Sequence, residues 1–129
     1  MSTIQAPTYN RAIYQGTHGN VSVAVGQYNC AATAKGTVIQ LISLPAGCRI
    51  STVLVYTDTG LGASVGVTVA AGDTTIATVA DMSAAATSQT VPVALLYNDT
   101  DEVISATITG AAATGDLIVE VFYIYEGTL

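Results

Sequence analysis

Two adjacent apolar runs within residues 36–57 restrict this chain to a β-rich fold. Both runs are rich in Val, Ile and Leu, and the β-branched residues among these favour extended strands. Leu44-Pro45-Ala46-Gly47 separates the runs, where Pro45 fixes one backbone angle and Gly47 permits the positive φ of a tight reversal. Each run is apolar at almost every position, which is typical of strands covered on both faces. The segment therefore predicts two core strands joined by a turn.

Shorter apolar runs separated by turn residues extend this pattern into an all-β domain. Residues 27–35 are predicted to be a loop, and residues 80–89 a loop or one or two helical turns. Pro92, near the start of a predicted strand, fits either a sheet edge or the beginning of a strand. About eight strands in one domain predict a two-sheet sandwich, and that strand number favours a jelly roll over an immunoglobulin-like arrangement. The additional strands are predicted at 21–25, 63–70, 74–79, 90–97, 103–109 and 117–125.

Residues 1–20 are polar and irregular and precede the single sandwich domain predicted at 21–129. The segment nevertheless carries aromatic and aliphatic side chains, which a purely disordered tail lacks. Two alternatives follow, namely an extended arm that orders on a partner subunit or a segment that folds back onto its own domain. For the first alternative, the candidate partner-contact residues are Ile4, Pro7, Tyr9, Arg11, Ile13 and Tyr14.

The scarcity of charge excludes several kinds of partner. Charged residues make up 9% of the 129 residues, whereas about a quarter is usual for soluble domains. Three Lys and Arg residues and a net charge of −6 leave no basic cluster for binding nucleic acid. No apolar run reaches the ~18 residues of a membrane span, and no basic start followed by an apolar run indicates a secretory signal. We therefore expect no membrane partner and synthesis in the cytosol.

The residue types that carry catalysis are few and are not grouped. Ser64 lies in a G-x-S-x-G pattern, but strand alternation follows it and the one histidine, His18, precedes it. Cys30 and Cys48 belong to no Cys-x-x-Cys motif and are predicted to be free thiols. We therefore expect neither an enzyme nor a bound cofactor.

Two charged positions leave alternatives open. The turn with Asp99, Asp101 and Glu102 offers oxygen ligands of the kind calcium prefers, or it is an exposed solubilising turn; the second reading is favoured, with no metal. Arg49 follows the turn at Pro45 and Gly47, and we expect its guanidinium to bind a carboxylate or backbone carbonyls of its own domain.

Five segments, GTVIQL at 36–41, LPAGCRISTV at 44–53, GVTVAAG at 66–72, DEVISATI at 101–108 and TGDLIVEVFY at 114–123, together resemble a family of small structural proteins of tailed bacteriophages. These are capsid cement, or decoration, proteins with a jelly-roll fold. The resemblance implies a virion protein that binds the outer surface of the assembled head and ties neighbouring subunits of the major capsid protein together. It also favours a homo-oligomer, a dimer over a trimer.

A second binding function is a head-fibre or tail-associated jelly-roll module that contacts host carbohydrate, since jelly rolls also serve as lectin domains. Exposed aromatic residues grouped near loops would favour it. The tyrosines at 56, 97, 123 and 125 lie in or at the ends of predicted strands, so they are interpreted mainly as core or interface residues.

Overall fold

Nine strands make up the computed structural model, which describes residues 3–10, 13 and 21–126, with no side-chain description at 87 and 94–96. None of these residues forms a helix long and apolar enough to cross a bilayer. The strands are β1 (Thr3–Gln5), β2 (Val21–Thr33), β3 (Val38–Leu44), β4 (Cys48–Thr57), β5 (Gly66–Ala71), β6 (Thr74–Val79), β7 (Thr87–Tyr97), β8 (Glu102–Thr109) and β9 (Ala113–Tyr125).

The last eight strands pair as one long antiparallel ribbon. β5 pairs with β6, β4 with β7, β3 with β8 and β2 with β9. The ribbon rolls up because β4 also pairs with β9, and β5 with β8. The products are sheet A, in the order β1-β3-β8-β5-β6, and sheet B, in the order β2-β9-β4-β7. This winding is the predicted jelly roll, and the additional strand β1 pairs in parallel with β3.

The core lies between the two sheets. On β4 and β9 the inward residues Val53, Val55, Val119 and Val121 are fully buried, because alternate side chains of a strand point to one face. Loops close the sandwich with Leu61 and Met82, both fully buried and joined by a 2.8 Å hydrogen bond from the Leu61 N–H to the Met82 carbonyl. The core therefore extends beyond the strands into the loops.

Of three local predictions, the one for Pro92 agrees with the structure and the two for residues 27–35 and for β4 do not. Pro92 lies on β7, an edge strand of sheet B, as predicted. The predicted loop at 27–35 is wrong for most of its length, because β2 continues to Thr33 along β9 with an irregular register after Cys30. The prediction that both faces of β4 are covered is also wrong within this chain, because outward residues such as Leu54 are only half-buried.

The turn between β3 and β4 carries the chain from sheet A to sheet B. Gly47 has a φ of 93° there, in the left-handed region. Asn98, only 5% exposed, holds the turn with both ends of its amide. Its Oδ1 accepts from the Cys48 N–H at 2.8 Å, and its Nδ2 donates to the Pro45 carbonyl at 2.9 Å. One buried amide therefore fixes the point at which the ribbon changes sheets.

An ion pair beside this turn joins β4 to the end of β9. Arg49 Nε donates to Glu126 Oε2 at 2.9 Å and its Nη2 donates to Oε1 at 3.0 Å, a bidentate geometry that suits a guanidinium and a carboxylate. The guanidinium also lies 5.2 Å from the Tyr97 ring centre. The hydrogen bonds from Arg49 hold the pKa of Glu126 below its ordinary value. The carboxylate partner expected for Arg49 is thus in its own chain.

We expect Asn98→Ala to destabilise the fold by about 2–4 kcal/mol. The change leaves the Cys48 N–H and the Pro45 carbonyl without their partners, and each such loss costs about 1–3 kcal/mol when water cannot replace the bond. Denaturant unfolding of Asn29→Ala, which truncates an exposed Asn of β2, provides the matched control and should lie within about 0.5 kcal/mol of the parent. Equal losses in the two variants would contradict the role of Asn98.

We expect Glu126→Gln to remove an acid-sensitive part of the stability. Because the folded pKa of Glu126 is lowered, its ion pair stabilises the protein above the unfolded value of about 4.3, and this contribution disappears as the pH falls through the folded pKa. The Tm difference between parent and variant should therefore be largest near pH 7 and should shrink in acid. If the Tm difference between parent and variant did not change from pH 7 to strong acid, the ion pair would contribute nothing to the stability.

Candidate interaction surface

The outward side of sheet B is the most apolar exposed surface of the described chain. Residues that face each other across β2, β9, β4 and β7 point to the same side of the sheet, and the register therefore defines this surface, which we call the outer B face. Its members are Val21, Val23, Val25, Gln27, Asn29, Arg49, Thr52, Leu54, Tyr56, Ser88, Thr90, Pro92, Tyr97, Asp116, Ile118, Glu120, Phe122 and Ile124.

Aliphatic side chains on this face are accessible to solvent. Val21, Val23 and Val25 are 62%, 43% and 38% exposed, and they are the large exposed hydrophobic residues of the described chain. Arg49, Asp116 and Glu120 are the charged members of the outer B face, and Arg49 is already paired with Glu126. Contiguous apolar surface with so little charge is typical of a protein interaction site.

A shallow depression crosses the middle of the outer B face. Its volume is about 290 Å³, and residues of all four strands line it, from β2 at one edge to β7 at the other: Val21, Ser51, Thr52, Leu54, Thr90 and Phe122. The lining carries hydroxyl groups but no charge, so the depression suits an apolar or weakly polar protrusion of another protein better than a charged ligand.

The N-terminal segment lies against its own domain between residues 3 and 10. Ile4 is half-buried in β1 opposite Ile39, and Ala6 is buried. Thr8, also buried, joins the two sheets, since its hydroxyl donates to the Leu41 carbonyl at 2.7 Å and accepts from the Gln27 N–H at 3.2 Å. Of the two alternatives for this segment, residues 3–10 follow the one that folds back.

The other candidate contact residues of the segment have different surroundings. Pro7 is exposed, Tyr9 is half-buried, and Ile13 packs partly against the core. Arg11 and Tyr14 lie outside the described residues. Sequence patterning does not indicate the roles of Ala6 and Thr8, because small residues in a polar segment carry no periodic signal.

The serine, cysteine and aspartate residues considered above as possible catalytic or metal-binding groups lie in turns or in the core. Ser64 lies in a turn with a φ of 65°, and its carbonyl approaches the backbone at Gly110. Cys30 and Cys48 are buried free thiols, and burial raises the pKa of Cys48 to about 11, so that thiol is protonated at neutral pH. Asp101 Oδ1 accepts from the Ala46 N–H at 2.9 Å. These contacts hold turns and core together.

Sequence comparison alone identifies no relative. No family model matches the chain, and no curated protein matches it.

The fold, in contrast, has counterparts among solved structures of phage capsids. A chain of the capsid of Ralstonia phage GP4 matches with a TM-score of 0.68 at 15% identity, over 99% of this chain and 100% of that one. Chains from the capsids of Helicobacter pylori bacteriophage KHP30 and cyanophage Pam1 each match with a TM-score of 0.63, at 16% and 23% identity, over 88% of this chain and 94% and 90% of theirs. The jelly roll described here is thus also the fold of proteins in three phage capsids.

Proposed function

We propose that this protein is a phage capsid cement or decoration protein that binds the outer surface of the assembled head and stabilises contacts between major capsid subunits. The observation that carries the proposal is the match of almost the whole chain to capsid chains of three phages.

The outer B face is the surface we assign to the capsid contact. It is one side of a four-stranded sheet, and its charged members are limited to Arg49, which is paired, Asp116 and Glu120. Residues such as Val23 and Thr90 have short side chains that lose little rotamer entropy when they are covered. A capsid surface of matching shape therefore gains apolar burial at a small ordering cost.

Many copies on one lattice compensate for a modest contact per copy. A capsid presents the same site repeatedly, and a subunit that binds two neighbouring capsid proteins joins them without high affinity for either. Pro7, which is exposed, and Tyr9, which is half-buried, are proposed to add to this contact. The acidic net charge of −6 keeps the free protein away from the packaged nucleic acid.

The test is attachment of the purified protein to heads assembled without it. We expect saturable binding and an increase in the temperature at which the heads release their DNA. Thr90→Glu places a charge in the depression of the outer B face and should weaken attachment at least about tenfold, because the carboxylate loses its water on contact.

The matched control is Thr78→Glu, the same substitution at an exposed position of β6 in sheet A. This variant should bind as the parent does. Equal weakening by both variants would exclude the outer B face as the contact, and failure of the parent to bind heads would exclude cementing. Binding to a glycan array in that second case would support the carbohydrate-binding alternative.

A further inference from the structure

The four edge strands of the two sheets are protected to very different degrees. β1 has three residues, β6 has six with a register irregularity, and β7 contains Pro92 and a register irregularity. Short strands, proline and bulges are the devices by which proteins prevent edge-to-edge pairing. β2 has thirteen residues, with neither proline nor a charged side chain, and its register irregularity lies after Cys30, so that residues 21–25 are regular. Among the described strands, residues 21–25 of β2 are therefore the edge segment that carries none of these devices.

One half of this edge is already occupied. The Gln27 N–H points away from β9 and donates to the Thr8 hydroxyl, so the N-terminal segment covers β2 at that position. Residues two apart along a strand direct their N–H and C=O groups to the same side. The backbone groups of Val25, Val23 and Val21 therefore also point away from β9, and β9 is the one strand to which β2 pairs in the described chain.

We propose that residues 21–25 of β2 pair with the same segment of a second copy, antiparallel and about a two-fold axis at Val23. The segment reads Val-Ser-Val-Ala-Val and is almost palindromic, so the axis places valine opposite valine at every outward position. Each facing pair exchanges two backbone hydrogen bonds. The two copies of sheet B then form one eight-stranded sheet, twice the four strands of the single copy, with their outer B faces side by side.

Charge does not oppose this pairing, although each copy carries a net −6. The nearest charge on the outer B face is Glu120, which lies opposite Val25 on β9. With strands ~4.8 Å apart and a rise of ~3.4 Å per residue, the two copies of Glu120 lie about 20 Å apart. This separation is about twice the Debye length of ~8–10 Å at physiological salt, so their repulsion is screened.

The exposed valines supply the apolar part of the interface. Val21, the most exposed of them at 62%, comes to lie beside Val25 of the second copy. Two edge strands of this length bury less than the ~1,200 Å² of a stable interface, so the dimer is expected to dissociate on dilution.

Sedimentation equilibrium of the full chain over a range of concentrations tests the proposal. We expect a reversible dimer and slow amide exchange at Val21, Val23 and Val25 at high concentration only. Val23→Glu places two carboxylates at the axis and should weaken the dimer at least about tenfold. The control Thr78→Glu makes the same charge change at an exposed position of β6, an edge strand of sheet A, and should leave the dimer intact.

Three outcomes would overturn the proposal. The first is a monomer at all concentrations up to about 1 mM, where a contact worth 4 kcal/mol would be visible. The second is a dimer that Val23→Glu does not weaken. The third is amide protection at 21–25 that is independent of concentration, which would assign the edge to residues 14–20 of the same chain. The inference does not rest on the proposed function, since the dimer is measured without heads.

Discussion

The inner faces of the two sheets pack directly on each other, and the remaining features of the structure depend on this contact. A ribbon of eight strands cannot bury an apolar face while it lies flat, so it rolls until β4 meets β9 and β5 meets β8. Rolling requires the chain to change sheets at the turn between β3 and β4. The amide of Asn98 and the ion pair of Arg49 with Glu126 are placed at this turn, where the ribbon has to be fixed.

Closure of the core determines which parts of the molecule stay open. Each sheet retains an outward side, and on sheet B that side exposes Val21, Val23 and Val25 of β2, with Arg49, Asp116 and Glu120 as its charged members. Each sheet also retains two edges, and among the described edge strands β2 is the longest and has neither proline nor charge. The outer B face and the β2 edge meet along the row Val21, Val23 and Val25. A second copy paired at the edge would therefore enlarge the face that we assign to the capsid, and the two proposals are geometrically compatible.

The low charge of the chain affects how easily its surface can be covered by another protein. Charged side chains make up 9% of residues, and the free surface is covered mainly by Thr, Ser, Ala and Val. Such side chains keep a protein soluble less effectively than Lys and Glu do, but they lose little entropy and little hydration when another protein covers them. The same fold occurs in chains of three phage capsids.

Local sequence determined the strands and the fold class, because strand periodicity and turn chemistry are encoded within a few residues. Strand β6 has the bounds predicted for it, and of the two positions that Pro92 allowed, a sheet edge or a strand's beginning, the structure has the edge. The continuation of β2 to Thr33 escaped prediction because its residues are small and are held extended by β9, about 85 positions later in the chain. The position of residues 3–10 was not predicted either, because a single hydroxyl, that of Thr8, joins this segment to both sheets. Which face is apolar and open, and which edge is unprotected, was decided by tertiary structure, because long-range pairing sets the register and the register sets the direction of every side chain.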